Sequence, residues 1–179
     1  MRKIITGLAT LVIVAGMGAL AWKACVAEES GSGEQSTAEG ECCKAGDSIP
    51  PLDLIKATPR GGLHNPYNDQ IAEVAEVGRK KYLSAGCNGC HGGGGGGGMC
   101  PPLTNDTWVY GPDDDTLFRL ISLGSDELQK QGYHRVKNEV VVGPMPQFGT
   151  IIKTSDDLWK IITFIRSVSP GSETKPPLQ

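Results

Sequence analysis

Five residues, Cys87-Asn88-Gly89-Cys90-His91, restrict the possible folds of this chain more than any other feature. Two thiols three residues apart, with a histidine directly after the second, match the C-x-x-C-H signature of covalent haem attachment. This spacing lets both thiols reach the two vinyl groups of one haem and brings the histidine under the iron as an axial ligand. We therefore predict one covalent haem c, with Cys87, Cys90 and His91 as cofactor-binding residues and His91 as an iron ligand.

Other kinds of site use similar residues. A thioredoxin-like redox pair would use Cys87 and Cys90, but that motif normally follows a β-strand, and no strand pattern precedes it here. A zinc site would need a second pair of ligands at defined spacing, and the remaining candidates are scattered. They are Cys42, Cys43, His64, Cys100 and His134. A phosphate-binding loop is excluded because the glycines 92–98 lack the Lys-Ser/Thr pair that must follow them.

Apolar residues recur at helical spacing in three segments, whereas strand patterns are nearly absent. The predicted helices cover residues 68–86, 113–124 and 155–170, and the one strand candidate covers 138–143. The connecting segments 87–112 and 125–153 are both longer than about 12–15 residues, which is uncommon inside a compact domain. We therefore expect an all-α domain whose centre is filled by something other than side chains.

The N-terminus has the pattern of an export signal. Arg2 and Lys3 precede a long apolar run, and small residues follow it. We predict that residues 1–27 are a signal peptide cut after Ala21 or Ala27, with an uncleaved membrane anchor as the alternative. Export would place the protein in the periplasm, which agrees with haem attachment after export.

Composition divides the rest of the chain. Residues 28–65 are rich in Glu, Ser, Gly and Pro and lack periodicity, so we predict a disordered tail or linker there. We expect the compact domain over residues 66–170 and a C-terminal tail over 171–179.

The formal net charge of −3 argues against nucleic acid as a partner and favours steering toward a basic patch on a protein. We expect a monomer without permanent membrane insertion.

Four features of the chain resemble class I cytochromes c: the haem motif, the helix before it, the segment Pro101-Pro102-Leu103, and GPMPQFG (143–149) followed by a terminal helix. The resemblance implies an all-α class I cytochrome c fold, with three to four helices and long loops around one covalently bound haem. It also implies that the Pro101 carbonyl accepts a hydrogen bond from Nδ1 of His91. Pro101 is therefore a predicted cofactor-binding residue.

In that family a methionine on a late loop is the sixth iron ligand, and Met145 fits this position. Met99 and His134 are weaker competitors for it. With both axial positions filled, the resemblance implies a monohaem electron carrier rather than an enzyme. A haem enzyme or gas sensor with an open sixth site is the alternative.

A narrower resemblance concerns the segment after the haem motif. PPLTNDTWVYG (101–111), together with the glycine run that ends in GMCPPL, is similar to cytochrome cL and to the methanol-metabolism-related cytochromes c. This similarity implies a PQQ-dependent methanol or alcohol dehydrogenase as electron donor, and another cytochrome or an oxidase as acceptor. A general cytochrome c that serves a different dehydrogenase is the alternative.

The seven glycines Gly92–Gly98 and the third nearby thiol, Cys100, have two interpretations each. The glycines would let the backbone pass close to the porphyrin edge and leave that edge open to a partner, or they are a neutral expansion in a solvent loop. Cys100 is predicted to form a disulfide with Cys42 or Cys43, or all three remain unpaired thiols. Asp113–Asp115 are most simply a helix start, with a docking role as a secondary possibility.

Overall fold

A computed structural model describes residues 48–139 and 143–169, and every structural statement below concerns these residues. They form five α-helices and a short 3-10 turn, with no β-strand in the described ranges. The all-α fold class predicted from the sequence is therefore confirmed. The elements are α1 (Pro51–Ala57), the 3-10 turn (Asn68–Gln70), α2 (Ile71–Ser84), α3 (Asn88–His91), α4 (Asp114–Lys130) and α5 (Ser155–Val168).

The three predicted helices are present, but two of them differ in length from the prediction. α2 covers 71–84 of the predicted 68–86, with the 3-10 turn over the first three residues of that range, and α4 is longer than predicted. α5 starts where its capping residue predicts, because the Thr154 side chain accepts a hydrogen bond from the Asp157 amide at 3.1 Å. α4 starts in the same way at Asp113, but it continues to Lys130 instead of ending at Gly124. The helix is broken at Gly124, where φ is 77° and ψ is 164°. The glycine therefore marks a kink between two helical segments rather than an end.

α2 and α5 cross in close contact at Gly78. A Cβ atom at this position would lie 1.9 Å from the carbonyl oxygen of Lys160, so only glycine allows the two backbones to approach this closely. Tyr82 and Phe164 pack beside the crossing with their ring centroids 5.0 Å apart. Because α3 begins four residues after the end of α2, the crossing also fixes the position of the haem motif.

The predicted linker over residues 28–65 is wrong for its described part, residues 48–65. Ile55 of α1 and Leu63 are buried in the core. The amide of Leu63 donates to Asp115 at 3.2 Å, and the amide of Asn65 donates to Asp114 at 2.9 Å. The segment has no long apolar periodicity because α1 is only 7 residues long and the rest is irregular. The carboxylates at the start of α4 hold its backbone in place.

Several sequence predictions lie outside the described residues. They are the signal peptide over 1–27, the rest of the tail over 28–47, the centre of the strand candidate at 140–142, and the C-terminal tail over 171–179. Among the helices that the structure describes, none is long and apolar enough to cross a membrane.

Candidate functional site

Helices α2, α4 and α5 and the two long connecting segments surround a cavity of about 320 Å³. Its walls are mainly apolar, and the long segments contribute Trp108 and Val109 to them. The helices contribute Tyr82, Leu117, Ile121, Ile161 and Ile165. The cavity therefore explains the sequence expectation that the centre of the domain is filled by something other than side chains.

The haem motif forms part of the wall of this cavity. Cys87 precedes the single turn of α3, and the amides of Cys90 and His91 both donate to its carbonyl oxygen, at 3.3 and 3.0 Å. Cys87 and His91 line the cavity, whereas Cys90 is half-buried on the same turn and is not part of the wall. Burial raises the pKa of the Cys87 thiol to about 11, so before it forms a thioether this group is protonated at physiological pH.

The hydrogen bond of His91 determines which of its ring nitrogens is available as a ligand. Nδ1 lies 2.8 Å from the carbonyl oxygen of Pro101. A carbonyl can only accept, so Nδ1 carries the proton, and in the neutral imidazole Nε2 is the nitrogen with the free lone pair. This is the arrangement expected of a metal-bound histidine, whose second nitrogen is held by a backbone carbonyl or carboxylate.

Of the three candidates for a sixth ligand, the structure places only Met145 in the cavity wall. The Met99 side chain is 61% exposed and does not line the cavity. His134 is exposed as well and is absent from the wall. A thioether from the late loop thus faces the same cavity as His91, and neither competitor does.

The glycine run is folded and does not line the cavity, contrary to the interpretation that it passes along the porphyrin edge. Backbone hydrogen bonds hold it: the Gly97 amide donates to His91 at 2.8 Å, and the Leu103 amide donates to Gly95 at 2.6 Å. At four positions a side chain would be strained or would meet backbone or side-chain atoms within 4 Å: Gly92, Gly95, Gly97 and Gly98. The run therefore forms a compact loop beside the haem motif.

The other three glycines of the run have a different environment. A Cβ atom at Gly93, Gly94 or Gly96 would meet nothing within 4 Å, and all three are exposed. We call these three residues the bare glycine face. They leave the backbone next to the haem motif uncovered by side chains.

Cys100 lies next to the haem motif and contributes to the cavity wall. Its amide donates to the carbonyl of Cys90 at 3.2 Å. Burial raises the pKa of the Cys100 thiol to about 11, and a hydrogen bond with Cys90 adds to the increase. Cys42 and Cys43 lie outside the described residues, so the disulfide between one of them and Cys100 stays a prediction.

The three aspartates at the start of α4 have structural roles. Asp113 caps the helix, and Asp114 and Asp115 are 7% and 4% exposed. Asp114 forms an ion pair with Arg166 at 2.8 Å, and Asp115 forms one with Arg119 at 2.9 Å. The suggestion that these residues dock a basic partner is therefore wrong for the two buried ones.

Two supporting residues of the site were not predicted. The Tyr82 hydroxyl donates to the Gly92 carbonyl at 2.7 Å and ties the end of the haem motif to α2. The guanidinium of Arg166 lies 5.2 Å from the ring centre of Trp108, which is part of the cavity wall. Neither contact has a local sequence signal. The contact of Arg166 with Trp108 joins segments that are distant along the chain. The hydrogen bond of Tyr82 with Gly92 depends on the exact turn after α2.

The alternatives to haem find no support in the described residues. Among residues 48–139 and 143–169, no group of three or more His, Cys, Asp or Glu side chains could hold a metal ion together. No strand precedes Cys87 within the same part of the chain, as a thioredoxin-like pair would require. In contrast, an apolar cavity with a histidine Nε2, a buried thiol and a thioether in its wall fits a haem.

A comparison with known families agrees with this chemistry. The family model described as Cytochrome c matches residues 75–169, which is more than half of the chain. No curated protein matches the chain, and no solved structure does. The matched range contains the haem motif, α4, α5, most of α2 and the Met145 loop. The chain therefore belongs to the cytochrome c family and carries covalently bound haem c, whose role is electron transfer.

Proposed function

We propose that the chain is a periplasmic monohaem carrier in which Cys87 and Cys90 form the thioethers and His91 and Met145 are the axial ligands. The observation that carries this proposal is the shared cavity of His91 and Met145, from which the other candidate ligands are absent. Haem c supplies one-electron redox chemistry when it is bound. With two protein ligands on the iron, no position is open for a substrate, which favours a carrier over an enzyme or sensor.

The residues around the cavity suit this role. The Pro101 carbonyl keeps the proton on Nδ1 of His91 and fixes the orientation of the ring. The mainly apolar wall limits the access of water to the iron, and a neutral thioether ligand such as Met145 raises the reduction potential relative to a second histidine. Both effects favour the reduced state, as an electron acceptor requires.

For the donor we propose a PQQ-dependent methanol or related alcohol dehydrogenase, with another cytochrome or an oxidase as acceptor. Support comes from the segment that is similar to cytochrome cL: Trp108, Val109 and Tyr110 all line the cavity. The segment that carries the resemblance thus belongs to the haem site itself. Periplasmic location follows from the predicted signal peptide over 1–27 and from haem attachment after export.

We propose that the donor docks over the bare glycine face. Electron transfer requires a short distance, and the absence of side chains at Gly93, Gly94 and Gly96 lets a partner approach the haem motif closely. Their backbone does not require glycine, because none of the three has a positive φ and none lacks space for a Cβ. A docking role would account for glycine at positions where the fold does not need it.

An absorbance time course tests the donor and the docking face together. The oxidised protein, matured with haem, is mixed with a lanthanide-type methanol dehydrogenase and methanol, and the reduced α-band is followed. We expect fast reduction that is slowed by salt. Gly94→Gln should slow it several-fold, whereas Ala72→Gln, at an exposed position on α2, should not.

Each of the other outcomes has a distinct meaning. A haem spectrum that stays oxidised would keep the cytochrome and exclude this donor, leaving another dehydrogenase. Reduction that is equally fast in Gly94→Gln would exclude docking over the bare glycine face. A protein without a haem band would contradict the haem site.

A further inference from the structure

The kink in α4 has a specific counterpart on the loop that carries Met145. In an unbroken helix the carbonyl of Ile121 would accept from the Ser125 amide, four residues later. Here it accepts instead from the amide of Phe148, at 3.0 Å. The next carbonyl, Ser122, accepts from the amide of Gly149, also at 3.0 Å. The broken helix thus presents carbonyls to the loop and holds its far end.

Ser125, the first residue after the kink, makes two hydrogen bonds with Met145. The Ser125 amide donates to the Met145 carbonyl at 2.9 Å, and the Met145 amide donates to the Ser125 hydroxyl oxygen at 3.0 Å. Ser125 is 6% exposed, so water competes weakly for these bonds. Both backbone polar groups of Met145 are therefore held by a single residue on α4.

Gly124 is required for this arrangement. A Cβ atom there would lie 2.7 Å from the Met145 carbonyl and 2.9 Å from the Gln147 amide. Its positive φ turns the Ser125 amide away from the helix axis and toward the loop. The glycine and the serine act together, one by leaving space and the other by supplying the donor and the acceptor.

We propose that Ser125 is a positioning residue for the sixth iron ligand. Its two bonds hold the backbone of Met145 so that the side chain stays against the cavity and the ligand seldom dissociates. This proposal rests on the proposed function, in which Met145 binds the iron. Ser125 does not need to touch the iron for this, because it acts through the backbone of Met145.

The test measures how often the sixth position opens. Imidazole is titrated into the oxidised holoprotein, where it binds only when Met145 has dissociated. Ser125→Ala removes the hydroxyl acceptor and leaves the Met145 amide unpaired, so the imidazole affinity should rise roughly tenfold. Exchange of the Met145 amide hydrogen should accelerate by a similar factor. Ser125→Thr retains the hydroxyl and should stay close to the parent protein.

Ser122→Ala is the matched control. Ser122 is fully buried on the same helix, and its hydroxyl has no hydrogen-bond partner in the part of the chain that the structure describes. Its loss should leave the imidazole affinity unchanged. Met145→Ala tests the ligand assignment separately from the positioning role, since it should raise the imidazole affinity far more than Ser125→Ala.

If Met145→Ala raises the affinity and Ser125→Ala behaves like Ser122→Ala, the positioning role is overturned while Met145 stays the ligand. If Met145→Ala has no effect, the ligand assignment is wrong and the positioning role falls with it. A rise in Ser125→Ala that Ser125→Thr does not show supports the proposal.

Discussion

The two sides of the cavity are held in different ways. On the histidine side, the backbone hydrogen bonds of α3 and the glycine run join residues that are close in sequence. The Pro101 carbonyl fixes the ring of His91 from ten residues away. On the methionine side, the loop is held by α4, through Ser125 and the carbonyls before the kink, and Met145 lies 20 residues beyond Ser125. Local contacts make the histidine side robust, whereas the methionine side depends on one kink in a distant helix.

The largest effect should come from breaking the methionine side at Gly124. Gly124→Ala forces an L-residue to a φ of 77° and moves the Met145 carbonyl, which lies 2.7 Å from the new Cβ. We expect a loss of about 2–4 kcal/mol in the free energy of unfolding, together with a higher imidazole affinity. Denaturant unfolding and imidazole titration of the oxidised protein measure the two effects.

Gly132→Ala is the control for Gly124→Ala. Gly132 has a similar φ of 84°, but nothing lies within 4 Å of a Cβ there. Its substitution should cost only the conformational term of about 1–2 kcal/mol and leave imidazole binding unchanged. Equal effects in the two variants would show that the contact with the Met145 loop contributes nothing.

A smaller effect is expected from the histidine side. Gly97 has a φ of 95°, and a Cβ there would lie 3.2 Å from the backbone nitrogen of Pro102. Gly97→Ala should lower the free energy of unfolding by about 1–3 kcal/mol. Imidazole affinity should not change, because the backbone of Met145 is held by Ser125 of α4 and not by the glycine run.

The neighbouring variant Gly94→Ala serves as reference for Gly97→Ala, because it adds a methyl group where the loop has space. It should leave the unfolding free energy nearly unchanged. A rise in imidazole affinity in Gly97→Ala would contradict the separation of the two sides.

The smallest effect is expected for Asp156, a carboxylate at the start of α5 that belongs to neither the histidine side nor the methionine side. Burial alone would raise the pKa of Asp156, but hydrogen bonds from Lys160 and Tyr67 outweigh it and hold the pKa below its usual value. Because the pKa of Asp156 is lower in the folded protein than in the unfolded chain, its charged form stabilises the fold at pH values above the ordinary pKa of a carboxylate. This stabilisation is lost as the pH falls below about 4.

Asp156→Asn should therefore cost at most about 1 kcal/mol at neutral pH, and its difference from the parent protein should shrink as the pH falls. Urea unfolding at several pH values measures this difference. Imidazole affinity at neutral pH should be the same in both proteins. A change in that affinity would mean that the start of α5 affects the methionine side.

The same contrast explains what the sequence could predict. Cys87, Cys90 and His91 form a contiguous motif, and α2 and α5 have regular apolar spacing, so both were recognisable without a structure. The segment over 48–65 was misjudged because its backbone is bonded to Asp114 and Asp115, about 50 residues later, and such contacts produce no local pattern. The proposed role of Ser125 leaves no local pattern either, because its partner Met145 lies 20 residues later. The helix predicted over 113–124 ends at Gly124, but periodicity alone does not show that a second helical segment follows the glycine.

The close crossing of α2 and α5 at Gly78 has a consequence for the order in which haem is attached and the chain folds. α2 ends at Ser84 and α5 begins at Ser155, so the crossing closes a long loop that contains most of the cavity wall. Closing such a loop costs conformational entropy before its contacts can form. Cys87 lies directly after α2, so a group tethered there is beside the surface on which α5 must dock. We expect haem attachment and folding to be coupled. The chain should stay accessible to the haem-attachment machinery until α5 docks on α2.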